Sequence, residues 1–105
     1  MKPVYWTPEA QTRLKEIHGY LINQHAPKAA RKVVVTLLSR TRQLEELPLS
    51  GHNMPDYPND DIRELFENPY RIIYRITEPQ VEILTVMHYR QLLAKTVNAL
   101  RSEAL

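Results

Sequence analysis

Cysteine is absent from the 105 residues, which excludes a disulfide framework, thiolate-held zinc or iron–sulfur centres, and a cysteine nucleophile. Glycine occurs only at Gly19 and Gly51. There is no glycine-rich loop to cradle a phosphate and no Gly-x-Ser-x-Gly turn to present a serine. His18, His25, His52 and His88 are scattered, and no His-Glu-x-x-His occurs, so neither a metal nor a cofactor is expected. No stretch reaches the roughly 18 apolar residues of a membrane span. The opening Met1-Lys2-Pro3-Val4-Tyr5-Trp6 lacks the apolar run of a signal peptide, so the expected location is the cytoplasm.

The residues that are present describe an ordinary globular domain, 43% hydrophobic and 25% charged. One core is expected, with residues 1–105 forming one domain: a body over 3–90 and a carboxyl-terminal tail over 91–105. A formal charge of +2 permits an acidic partner without requiring one.

Eight prolines punctuate the chain. Residues 3–6 are short, aromatic and β-favouring, which predicts a first strand. Thr7-Pro8-Glu9 then starts a helix: a capping hydroxyl, a proline suited to the first turn, and an acid at the positive end of the dipole. Ala10, Leu14, Ile17 and Leu21 give that helix one apolar face, running to about His25. Ala26-Pro27 interrupts the pattern and restarts it. Ala30, Val33, Val34, Leu37, Thr41, Leu44 and Leu47 predict a second, longer helix that stops before Pro48. The short connection folds the pair into an antiparallel hairpin. Lys28, Arg31, Lys32, Arg40 and Arg42 lie off the apolar face of the second helix, where solvation is their default role.

Residues 48–60 lack periodicity, hold three prolines and Gly51, and read as a loop long enough to serve a partner. The period then becomes two. Ile62–Glu67, Tyr70–Thr77 and Val81–Tyr89 predict three strands joined by short turns, an antiparallel meander. In the middle strand Tyr70, Ile72, Tyr74 and Ile76 share one face, expected under the helices. Arg71, Ile73 and Arg75 share the other, expected to be studded with arginine. The tail from Gln91 returns to helical spacing at Leu93, Val97, Leu100 and Ala104. The fold class expected is α+β: an amino-terminal strand and a two-helix hairpin packed on a twisted antiparallel sheet, with a helical tail.

Three segments carry more specific information: Ile62-Arg63-Glu64-Leu65-Phe66, Tyr70-Arg71-Ile72-Ile73-Tyr74-Arg75-Ile76, and Val81 through His88. With the helical hairpin and Pro48-x-x-Gly51 upstream, this combination resembles the RelE/ParE superfamily of bacterial type II toxins over about residues 3–90. The resemblance implies a toxin held in check by a co-encoded antitoxin that wraps around it as a hetero-oligomer. An acidic antitoxin tail would meet Arg63, Arg71 or Arg75. The superfamily has two branches. RelE-like members cut messenger RNA in the ribosome, whereas ParE-like members poison DNA gyrase without a known catalytic set.

The residues present weigh these branches. Cutting RNA through its own 2′-hydroxyl needs a base, a proton donor and cations for the phosphate. Arg63, Arg71, Arg75 and Arg90 have the forked donors for a phosphate, His88 titrates in the useful range, and Tyr89 stacks on a base or donates a proton. If the protein is a nuclease, the catalytic candidates are Arg63, His88, Tyr89 and Arg90. Each also has a plain structural reading, with Arg63 and Arg71 pairing to Glu64, Glu67 or Glu82. The RelE-like nucleases tend to carry lysine-rich strands and loops. Here residues 48–60 have no lysine or arginine, and residues 61–105 hold six basic and six acidic side chains. The ParE-like reading is favoured, with DNA gyrase the expected target. The alternatives are a ribosome-dependent messenger RNA endonuclease and a binding module or degenerate toxin. Arg63, Arg71, Arg75, His88, Tyr89 and Arg90 are the expected partner-binding residues.

Overall fold

A computed structural model describes residues 1–54 and 61–88. The carboxyl-terminal tail, Tyr89 and Arg90 lie outside these described residues. The order is β1 (Val4–Trp6), α1 (Pro8–Asn23), α2 (Pro27–Arg42), β2 (His52–Asn53), β3 (Ile62–Glu67), β4 (Tyr70–Ile76) and β5 (Val81–His88). This is the α+β architecture the sequence predicts. Among the described residues no helix is long and apolar enough to cross a membrane.

The start of α1 is built as its residues dictate. Thr7 Oγ1 accepts the Ala10 N–H at 3.2 Å and donates to the Ile83 carbonyl at 2.7 Å. One hydroxyl therefore caps the helix and ties its first turn to β5. At the other end His25 adopts a left-handed φ of 58°, and the Ala26 N–H returns to the Leu21 carbonyl at 3.0 Å. That cap closes α1 at Asn23 rather than at His25.

Two features of the loop region differ from expectation. α2 ends at Arg42, and Gln43–Glu45 continue as a 3-10 turn that buries Leu44 in the core. Residues 48–60 are not featureless either: Pro48–Ser50 form another 3-10 turn, and β2 pairs with β3. Both elements are too short to leave a periodic signal.

The sheet has five strands in the order β1-β5-β4-β3-β2. It is mixed rather than wholly antiparallel, because β1 lies parallel to β5, with Val4 opposite Val81 and Trp6 opposite Ile83. The helical hairpin leaves and returns between them, so the first strand enters the edge beside the last in the same direction. Lys2 Nζ fastens this edge by donating to the carbonyls of Thr77 at 2.8 Å and Glu78 at 2.5 Å.

The main core lies between the helices and one sheet face. Ala10, Leu37 and Leu44 meet Leu65, Ile72, Tyr74, Val81, Ile83 and Val86. The opposite face departs from the expected arginine-studded surface. A register shift between Ile73 and Tyr74 sets Ile73 opposite Thr85 and Tyr74 opposite Ile83. The extra residue, Leu84, joins Ile62, Ile73 and Met87 in a second apolar cluster with Met54 packed on it.

Candidate partner-binding site

Arg63 does not share a face with Arg71 and Arg75. It stands opposite Tyr74 in the β3–β4 register, on the helix side of the sheet near the β2 edge. Its Nε donates to Asp61 Oδ1 at 3.0 Å, and its Nη1 donates to the carbonyls of Gly51 at 3.1 Å and Leu49 at 3.3 Å. Tyr74, fully buried, completes the arrangement. Its hydroxyl accepts the Gly51 N–H at 2.9 Å and donates to the Pro48 carbonyl at 2.7 Å. Burial raises the Tyr74 pKa above its ordinary 10.0, against the opposing pull of the Gly51 N–H and Arg63. The Pro48-x-x-Gly51 turn is thus pinned from the sheet by one arginine and one tyrosine.

Arg71 and Arg75 lie on the far face, each beside a carboxylate. Arg71 meets Glu64 through Nη2 at 2.6 Å and Nε at 3.1 Å. Its guanidinium also sits 5.9 Å from the centre of the exposed Phe66 ring. Arg75 contacts Glu82 Oε1 through Nη2 at 2.6 Å and Nε at 3.1 Å. Glu64 and Arg75 are each only 7% exposed. Burial pushes the Glu82 carboxyl up, but the bonds from Arg75 and Gln80 outweigh it and hold the pKa below its ordinary 4.5. The Arg71–Glu64 pair is one that the structural reading of the sequence names, whereas Arg63 takes Asp61 in place of the glutamates expected for it. The sheet arginines carry charge that is already met, and a phosphate reaching Arg71 would have to displace Glu64.

His88 closes β5 beside Tyr70, with ring centres 6.4 Å apart and planes at 83°. Tyr70 separates two grooves. One, of about 510 Å³, runs along α1 past Ile17, Tyr20 and His88. The other, of about 250 Å³, runs along α2 past Lys32, Thr36 and Glu67. Tyr20 is exposed, and burial together with Tyr20 raises the Tyr70 pKa. Among the described residues no group of three His, Asp or Glu side chains is placed to hold a metal.

The role of the Tyr74 hydroxyl is not legible in the sequence. Its place on the core face was legible, but the hydroxyl's two partners lie in a turn whose fold has no periodicity. The signal was the pairing of Pro48-x-x-Gly51 with a tyrosine on the middle strand. The cations of α2 have solvation as their default role from the sequence. Of these, Arg40 pairs with Glu67 at 3.1 Å and donates to Gln43 and the Phe66 carbonyl. Lys28, Arg31, Lys32 and Arg42 make no hydrogen bond or ion pair among the described residues.

The described residues thus form a small α+β domain with a helical hairpin on a mixed five-stranded sheet, in which Arg63, Arg71 and Arg75 are engaged in internal bonds. A family model described as the ParE toxin of the type II toxin-antitoxin system, parDE, matches residues 4–93. The chain belongs to this ParE toxin family. It is 40% identical over 90 residues to the Sinorhizobium fredii protein named "Putative toxin Y4kP", covering 86% of this chain and 91% of that one. Its fold is shared by a chain of the solved "Chromosomal ParDE TA system from P. aeruginosa", with a TM-score of 0.71 at 23% identity. That likeness covers 84% of this chain and 96% of the other. The protein is a ParDE-type toxin of a toxin–antitoxin system.

Proposed function

We propose that this toxin acts in the cytoplasm on DNA gyrase, stabilising cleaved DNA by contact rather than by its own chemistry, and that a co-encoded antitoxin neutralises it. The observation that carries the reading is the ParE family match over residues 4–93, nearly the whole body of the domain. The engagement of Arg63, Arg71 and Arg75 supports it. A nuclease would need such cations free to meet developing charge on a phosphate, whereas here they hold a turn and two carboxylates. In this proposal Arg63, Arg71 and Arg75 fix the shape of the sheet surface, and His88, Tyr89 and Arg90 at its end meet the target.

One paired assay tests this. Purified toxin is added to gyrase supercoiling reactions and, in parallel, to translating ribosomes with a defined message. The expected result is inhibited supercoiling with intact message. Codon-positioned cleavage that disappears in His88→Ala or Arg63→Ala, with gyrase unaffected, would overturn the proposal in favour of a ribosome-dependent nuclease.

A further inference from the structure

The backbone from Leu47 to Gly51 is held at almost every polar group. The Leu47 carbonyl accepts the Ser50 N–H at 3.1 Å, and the Pro48 carbonyl accepts the Tyr74 hydroxyl at 2.7 Å. The carbonyls of Leu49 and Gly51 accept Arg63 Nη1 at 3.3 and 3.1 Å, and the Gly51 N–H ends on the Tyr74 hydroxyl. What this scaffold presents outward is leucine. Leu44 enters the core, but Leu47, the last residue of the apolar stripe expected for the second helix, is 59% exposed, and Leu49 is 64%. One exposed leucine needs no explanation. Two within three residues, on a turn fixed by a buried tyrosine and an arginine, make a preorganised apolar surface that loses little freedom on binding. The surrounding segment carries charge of one sign. Residues 43–61 contain five carboxylates and no lysine or arginine. Asp61 is taken by Arg63, whereas Glu46 is exposed and Glu45 half-buried. Among the described residues neither glutamate forms an ion pair, even with Arg42 three and four positions earlier.

We propose that this pinned turn, through Leu47 and Leu49 with Glu45 and Glu46 beside them, docks into a basic, apolar-lined recess on the toxin's protein target. That the target is DNA gyrase rests on the reading above. The turn excludes other occupants by its chemistry. An extended peptide binds by adding main-chain bonds, and the carbonyls of this turn already have internal donors. A nucleic acid backbone is repelled by the two carboxylates and gains nothing from the leucines. The acidic antitoxin tail implied by the family resemblance carries the same sign of charge and is repelled likewise. A protein that handles DNA must line its path with cations that meet phosphates. Such a lining attracts Glu45 and Glu46, and apolar side chains beside it receive the leucines. The turn leads into β2, the sheet edge remote from β5, so this contact is separate from the one assigned to His88.

The test titrates full-length toxin into supercoiling reactions with purified gyrase and, separately, measures its affinity for the purified co-encoded antitoxin by calorimetry. The variants are Leu47→Ser with Leu49→Ser, Glu45→Gln with Glu46→Gln, and Lys15→Glu, an exposed charge reversal on α1 as control. Circular dichroism confirms that each is folded. The expected loss of inhibitory potency is about tenfold or more for the leucine pair and about threefold for the glutamate pair. Lys15→Glu should stay within about twofold of wild type, and antitoxin affinity should stay within about twofold throughout. If wild-type toxin inhibits gyrase and the leucine pair inhibits it equally, the docking surface is refuted while the gyrase reading stands. If wild-type toxin leaves gyrase untouched, the reading itself fails and this inference with it. Full potency in the glutamate pair, beside a loss in the leucine pair, refutes a basic recess. Antitoxin affinity lost in the leucine pair, with gyrase inhibition retained, would overturn the proposal and give the turn to the antitoxin.

Discussion

Replacing Gly51 with alanine probes the contact on which the 48–51 turn depends. Its φ of −77° suits any residue, so the constraint is space rather than backbone conformation. A Cβ at this position would fall 2.5 Å from the Tyr74 hydroxyl, 2.7 Å from Cε1 of its ring and 2.9 Å from the Glu64 carbonyl oxygen. None of these is the free end of a flexible side chain. The ring is fully buried, its hydroxyl is bonded at both sides, and the carbonyl belongs to β3. The turn must therefore move. Overpacking of this kind costs about 1–3 kcal/mol, and an unpaired buried N–H costs about as much. Because one displacement causes both, the expected total for Gly51→Ala is about 2–4 kcal/mol, a large fraction of a small domain's stability. Tyr74→Phe removes the hydroxyl alone, strands the Gly51 N–H, and should cost about 1–3 kcal/mol. In that background Gly51→Ala should cost less than in wild type, because the closest of its three contacts has gone. Trp6, the single tryptophan, packs partly buried against the core and reports urea unfolding by fluorescence. An alanine variant within 0.5 kcal/mol of wild type, or full additivity in the double variant, would refute the close-approach argument.

Arg71→Ala should destabilise the domain by about 2 kcal/mol, between the values for exposed and fully buried ion pairs, because it strips two bonds from the nearly buried Glu64 carboxylate. Arg71→Met with Glu64→Leu should recover much of that loss in urea midpoints, and an unchanged midpoint in Arg71→Ala would contradict the pairing. Glu82 sets an acid limb. Its folded pKa lies below 4.5, so its contribution is present above that value and is lost as pH falls through the lower folded value. Glu82→Gln should flatten stability against pH below about 4.5 and leave the neutral-to-alkaline limb unaltered.

The legible part of the fold was the part written in periodicity. The threonine–proline–glutamate start of α1, the two apolar stripes and the alternation after residue 61 each follow from a repeating constraint on which side chains face the core. The parallel placement of β1 was not legible, since a three-residue strand carries no sign of its direction. The second apolar cluster was hidden for a different reason. A bulge at Leu84 changes which residues share a face, and strict alternation cannot register one extra residue. The candidate site shows the same division. That Arg63, Arg71 and Arg75 belong to the sheet could be read directly. That Arg63 faces the opposite side from the other two follows only from the register that sets it against Tyr74.

Charge is the quantity for which composition is least informative here, because a formal +2 says nothing about where neutralisation occurs. On the sheet, residues that pair across neighbouring strands bring Arg71 to Glu64 and Arg75 to Glu82, and the low exposure of Glu64 and Arg75 makes those pairs hard to displace. On α2 the residues three and four positions from Lys28, Arg31 and Lys32 include no carboxylate, whereas Glu45 and Glu46 follow Arg42 at those spacings and Arg40 pairs with Glu67. The same side-chain type therefore does two different things in one small domain. Arginine on the strands acts as a strut whose removal should appear in stability. Arg31, exposed on α2 and without a carboxylate partner among the described residues, contributes little to folding, and its removal should leave stability nearly unchanged. A charge reversal at Arg31 that leaves the unfolding midpoint within 0.5 kcal/mol of wild type, beside one at Arg75 that lowers it sharply, is the pairing this division requires.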